Sequence, residues 1–146
     1  NAWEEIKQEL NGPEVRLLIP IEGNMFVLDT DASGIALGAV LMQEDNESKL
    51  RPIAFASKTL TVPERNWTVR EQEAYAIVWG IIHFSNYLKW QPHFIVRTDH
   101  QSLAWLWKEQ HKRIARWALL LHEYSFHIEY NKGTAHTHAD IYSPGM

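Results

Sequence analysis

"VLDTDASGIALGAVL", residues 27–41, decides how the chain is read. An apolar run leads into Asp29 and Asp31, a turn signal follows at Ser33–Gly34, and a second apolar run rises from Ile35. The pattern predicts a strand at about 25–31, a tight turn at Gly34 and a second strand over 35–43. Residues two apart on a strand share a face, so Asp29 and Asp31 project together. Carboxylates in that position either accept local backbone hydrogen bonds in the turn or serve chemistry at the strand end.

Working outward, "DNES" (45–48) reads as a hairpin loop and "LRPIAFAS" (50–57) as a third strand, weakened at its start by Pro52. "TVPERNWT" (61–68) reads as a loop leading into the longest helix, at about 68–88. Ile77, Ile81, Phe84 and Leu88 form that helix's apolar stripe. "HFIVRTD" (93–99) is a fourth strand, "HQSLAWLWK" (100–108) a short helix and "RIARWALLLHEY" (113–124) another. "SFHIEYN" (125–131) is a fifth strand, with Phe126, Ile128 and Tyr130 on one face. A last helix is expected to begin near Thr137. Upstream, "AWEEIKQEL" (2–10) has helical spacing and "NGPE" (11–14) ends it. "VRLLIPI" (15–21) reads as an extended connector, because Pro20 disfavours a central strand. Hairpins followed by helical crossovers give an α/β class: a mixed sheet with helices packed on it.

The 146 residues, 45% hydrophobic and 22% charged, suit one domain with a real core. The absence of cysteine excludes disulfides, thiolate catalysis and cysteine metal sites. No apolar run approaches the roughly 20 residues of a membrane span. The net charge of -4 argues against the uniformly basic surface of a tight, independent nucleic-acid binder. Acids clustered at a metal site would hide a local basic patch in that sum. Basic residues do gather in "KEQHKRIAR": Lys108, Lys112, Arg113 and Arg116. They fit a phosphate backbone or a solvated helix start equally well. The start at Asn1 and the ending "YSPGM" suggest a fragment of something longer.

Each further acid has two readings. Glu73 shares the stripe of Ile77, Ile81, Phe84 and Leu88, where a carboxylate costs several kcal/mol unless paired or metal-bound. It also sits in the first turn, where an acid complements the helix dipole, but Glu71 can do that from a more solvated face. Asp99 ends the fourth strand, where α/β sheets place their sites, and is equally a good N-cap. Asp140, after "HTHA", is a helix start, a solvated acid or a ligand. Gathered together, such acids would repel one another without a counter-charge. Hard oxygen donors suit Mg²⁺, and two such ions serve phosphodiester cleavage.

With those residues in view, the chain resembles the ribonuclease H domain of gypsy-type LTR-retrotransposon reverse transcriptases. "LDTDASGIALGAVLMQ" is similar to that family's first strand pair. "RPIAFASKTLTVPERNWTVREQEAYAIVWGIIHFSNYL" resembles its third strand and long helix. "FIVRTDHQSLAWL" resembles its fourth strand and following helix, and "RIARWALLLHEYSFHIEYNKGTAHTHAD" its late helix, last strand and closing acid. The resemblance implies an RNase H-like fold, a five-stranded mixed sheet flanked by helices. It implies that residues 1–22 come from the preceding polymerase region and 23–146 form the domain.

The same resemblance implies that Asp31, Glu73, Asp99 and Asp140 are catalytic and hold two Mg²⁺ or Mn²⁺ ions. Asp29 falls outside that set and is expected to be structural. The implied reaction is endonucleolytic hydrolysis of the RNA strand of an RNA/DNA hybrid, leaving 3′-hydroxyl and 5′-phosphate ends. The implied partners are the hybrid, read by shape and 2′-hydroxyls, and the polymerase domain of the same polyprotein, with no membrane involved. The implied location is intracellular, in a cytoplasmic virus-like particle. Two departures stand out: His136 replaces an Asn common before the last acid, and "ADIYSPGM" replaces an "ADALSR"-like ending. His136 or His138 would be an auxiliary in catalysis or product release, or a solvated tail residue. A non-catalytic module that supports a polymerase or binds nucleic acid is the competing reading.

Overall fold

The computed structural model describes residues 15–99 and 112–130. The calls on residues 2–14, 100–111 and 131–146 lie outside them. The described elements run β1 (Val15–Arg16), β2 (Phe26–Ala32), β3 (Ala36–Glu44), β4 (Leu50–Thr59), α1 (Val62–Arg65), α2 (Val69–His83), α3 (Ser85–Leu88), β5 (Phe94–Thr98), α4 (Lys112–Leu120) and β6 (Phe126–Tyr130). The sheet order is β1-β4-β3-β2-β5-β6. Strands β2, β3 and β4 form an antiparallel meander, whereas β2, β5 and β6 run parallel. The expected five-stranded mixed sheet is therefore present, and β1 adds two residues at one edge.

That extra strand corrects the reading of 15–21 as connector alone. Pro20 does keep the segment from becoming a longer strand. Ahead of it, however, Val15 and Arg16 pair with Phe55 and Ala54, and the Leu17 N–H donates to the Ile53 carbonyl at 2.8 Å. Further along, the fully buried Gln43 side chain stands in for a strand backbone. It accepts from the Ile21 N–H at 2.7 Å and donates to the Ile21 and Asn24 carbonyls at 2.7 and 3.1 Å.

Segment 61–68 is not simply a loop. The repeated Thr-x-x-Glu pattern makes two reciprocal capping boxes: Thr61 with Glu64 opens the single turn of α1, and Thr68 with Glu71 opens α2. Gln72 fastens the two helices by donating to the carbonyls of Glu64 and Arg65. The long helix expected over 68–88 is divided at Phe84, whose N–H still reaches the Gly80 carbonyl before α3 begins. The apolar stripe survives the break, because Ile77, Ile81, Phe84 and Leu88 are all fully buried.

Helix α2 packs on β2 and β3, and α4 packs against α2. The core joins Leu28, Ala39, Leu41 and Val96 from the sheet to the α2 stripe, Phe94 and Trp117. On β6, Phe126 and Ile128 pack against this core, but Tyr130 is 41% exposed, so the expected three-residue face loses its last member. The tightest approach is at Gly80. A Cβ there would meet the Leu28 Cδ2 and Thr30 Cγ2 at 3.3 Å and the Ala39 Cβ at 3.4 Å. Gly80→Val should therefore destabilise the domain by about 1–3 kcal/mol through overpacking. A fall in the urea midpoint at unchanged m-value would record this, and an unchanged midpoint would refute it.

Candidate metal centre

The parallel register of β2 and β5 matches Val27 with Ile95, Leu28 with Val96, and Asp29 with Arg97. Two residues beyond that last pair, on the same face, come Asp31 and Asp99. The second turn of α2 supplies Glu73, and Thr68 and Glu71 cap the turn before it. The sheet and helix thus bring three carboxylates together: one oxygen from each of Asp31, Glu73 and Asp99 lies within 4.8 Å of the others.

Their environments differ. Glu73 is 4% exposed, Asp31 is half-buried and Asp99 is exposed. The group is therefore closed on the helix side and open to solvent at the end of β5. Three carboxylates this close repel one another, and a divalent cation supplies the opposing charge. The donor set, all carboxylate oxygen, suits a hard cation such as Mg²⁺ or Mn²⁺. Asp140, His136 and His138 lie outside the described residues. So does the helix expected after Asp99, on which its reading as an N-cap depends.

Asp29 has a different partner. Arg97 donates from Nε and Nη2 to both of its carboxylate oxygens in a fork-to-fork pair. A signal for this pair was present in the sequence, since Asp29 stands two before Asp31 and Arg97 two before Asp99. Only the strand register turns those spacings into a contact.

The basic candidates divide. Lys112 and Arg116 are exposed on α4, and Lys108 lies outside the described residues. Arg113 is engaged within the chain: its guanidinium lies 4.1 Å from the Trp67 ring centroid and ion-pairs with Glu71. Trp67, Tyr75 and Trp117 complete this aromatic cluster, with Tyr75 stacked on Trp117 at 5.6 Å. Burial, with Glu64 beside it, pushes the Tyr75 phenol above its ordinary pKa. Sequence reading missed this role for Arg113, because Glu71 and Trp67 lie some forty residues away.

Residues 23–124 match the family described as the RNase H-like domain found in reverse transcriptase, and the chain belongs to that family. The Retrovirus-related Pol polyprotein from transposon 297 of Drosophila melanogaster is 43% identical over 144 residues, covering 97% of this chain and 13% of that protein. The transposon Tf2-3 polyprotein of Schizosaccharomyces pombe is 34% identical over 148 residues, covering 97% of this chain and 11% of that protein. The chain thus spans about an eighth of the curated relatives it matches, and the gypsy-type resemblance agrees with their names.

Among solved structures, the foamy viral protease-reverse transcriptase in complex with dsDNA superposes with a TM-score of 0.68 at 22% identity. That match covers 92% of this chain and 29% of the other. The same viral protein in complex with RNA/DNA hybrid gives a TM-score of 0.65, also at 22% identity, over 90% of this chain and 18% of the other. At that identity the likeness establishes the RNase H-like fold alone. No helix among the described residues is long and apolar enough to cross a membrane.

Arg113→Ala should cost about 1–2 kcal/mol of stability, since it removes a cation–π contact and an ion pair together. Arg116→Ala, at an exposed position, should change stability by less than about 0.5 kcal/mol. Equal urea midpoints for the two variants would contradict the assignment of Arg113 as the tie between α4 and α2.

Proposed function

We propose that this chain is the ribonuclease H domain of a retroelement reverse transcriptase and hydrolyses the RNA strand of RNA/DNA hybrids. The observation that carries this reading is the convergence of Asp31, Glu73 and Asp99 at the open end of paired parallel strands. Asp31 and Asp99 present their carboxylates from adjacent strand ends, and α2 holds Glu73 against them from the protein side. The reading takes Asp140 as the fourth acid, with His136 or His138 as an auxiliary. Divalent cations bound there, two Mg²⁺ or Mn²⁺, supply the charge that activates water and stabilises the leaving oxygen. Water adds to phosphorus, the bond to the 3′-oxygen breaks, and 3′-hydroxyl and 5′-phosphate ends result. Lys112 and Arg116, both exposed, and Lys108 would contact the phosphate backbone.

The reading extends to its setting. Relatives of this chain carry the name Pol polyprotein, which supports reading the polymerase of the same polyprotein as its partner domain; the proposed location is a cytoplasmic virus-like particle. With a net charge of -4, the isolated domain should hold hybrid weakly, with a Kd of roughly micromolar or above at physiological salt. Nanomolar binding would overturn that dependence on a neighbour.

The deciding experiment follows an RNA-labelled hybrid with Mg²⁺, Mn²⁺ or EDTA, comparing the native chain with Glu73→Gln. Metal-dependent cutting of the RNA strand, reduced at least about a hundredfold in the variant, is expected. Hybrid binding of equal strength with and without metal, with no cutting even after the polymerase domain is restored, would favour the non-catalytic module. A second measurement does not depend on turnover. Millimolar Mg²⁺ or Mn²⁺ should raise the native Tm by linkage, and the rise should shrink in Glu73→Gln.

A further inference from the structure

We infer that the Asp29–Arg97 ion pair is a positioning and charge-balancing element of the acidic site, and not merely a strut between two strands. This inference rests on the reading of Asp31, Glu73 and Asp99 as a divalent-cation site.

The register places the pair directly behind the site. Asp29 and Arg97 face each other across β2 and β5, and Asp31 and Asp99 follow one same-face step later. Two residues along a strand is roughly 7 Å, close enough for charges to act on one another. Arg97 is 5% exposed, so its charge is weakly screened by solvent. Its fork grips both carboxylate oxygens of Asp29, which fixes how the two strands lie beside each other just before they present Asp31 and Asp99. Among the described residues, the Arg97 Nη1 is buried and makes no hydrogen bond, so Asp29 is the carboxylate its fork grips, while Glu129 is its register partner on β6.

The pair is neutral as a unit, and that neutrality has a consequence for the site. Asp29→Asn would make the charge behind the three carboxylates one unit more positive and weaken their hold on a divalent ion. Arg97→Gln would leave a fourth carboxylate behind them and strengthen that hold. A pure strut predicts something else: either substitution loosens the strands and weakens ion binding in the same direction.

The test is the Mn²⁺ concentration at half-maximal Tm rise, checked by calorimetric Mn²⁺ titration of the native chain and the variants. Asp29→Asn should raise the midpoint about three- to tenfold, and Arg97→Gln should lower it by a similar factor. The double variant, neutral again, should return to within about threefold of native. If a single variant does not fold, Arg97→Lys serves instead: it keeps the charge and loses the fork, and should stay within about twofold. Shifts of the same sign in both single variants, or an Arg97→Lys midpoint shifted as far as that of Asp29→Asn, would overturn the inference while leaving the proposed function standing. A native chain that binds neither Mn²⁺ nor Mg²⁺ would remove both.

Discussion

Parallel pairing of β2 with β5 is the constraint on which the rest of this structure depends. The two strands are far apart in sequence and separated by a meander and a long helix. Their register nevertheless determines which side chains meet at the strand ends. A slip of one residue would turn every side chain of one strand to the opposite face. Leu28 or Val96, whichever strand slipped, would leave the core below α2, and the acids would part. Burial of the apolar faces and of the Asp29–Arg97 pair enforces the same register, so core stability and site geometry are specified together.

Helix α2 supplies the third side of the site under a related constraint. Gly80 lets the helix settle close to Leu28, Thr30 and Ala39, and that depth sets where Glu73 lies, about two turns earlier on the same helix face. The N-terminal turn is then held by its capping box and by Arg113, which ties Glu71 to α4. Glu71 and Glu73 thus divide the work of two neighbouring acids. The more solvated Glu71 closes the helix end and joins an ion pair, while the buried Glu73 faces the other carboxylates.

Much of this was legible in the sequence because its signals were local. The alternating run around Asp29 and Asp31, the Ser33–Gly34 turn and the stripe from Glu73 to Leu88 each report on one element. Glu73 drew notice because a lone carboxylate on an apolar stripe requires compensation. Less legible were the features made by distant residues. Gln43 reads as an ordinary polar strand residue until its amide is found replacing a backbone for Ile21 and Asn24. Arg113 reads as part of a basic run until Trp67 and Glu71 appear beside it. The turn of α1 was missed for a different reason: the Thr61–Glu64 box is local, but its Pro-containing four residues look like a break.

The Gln43 clasp has a mechanical side. Because it pins residues 21–24 to β3 while Val15 and Arg16 pair with β4, β1 holds to one fixed edge of the sheet. That edge is three strand spacings from β2, or about 14 Å. The segment between β1 and β2 crosses that distance fastened at both ends, with no free joint at residue 23.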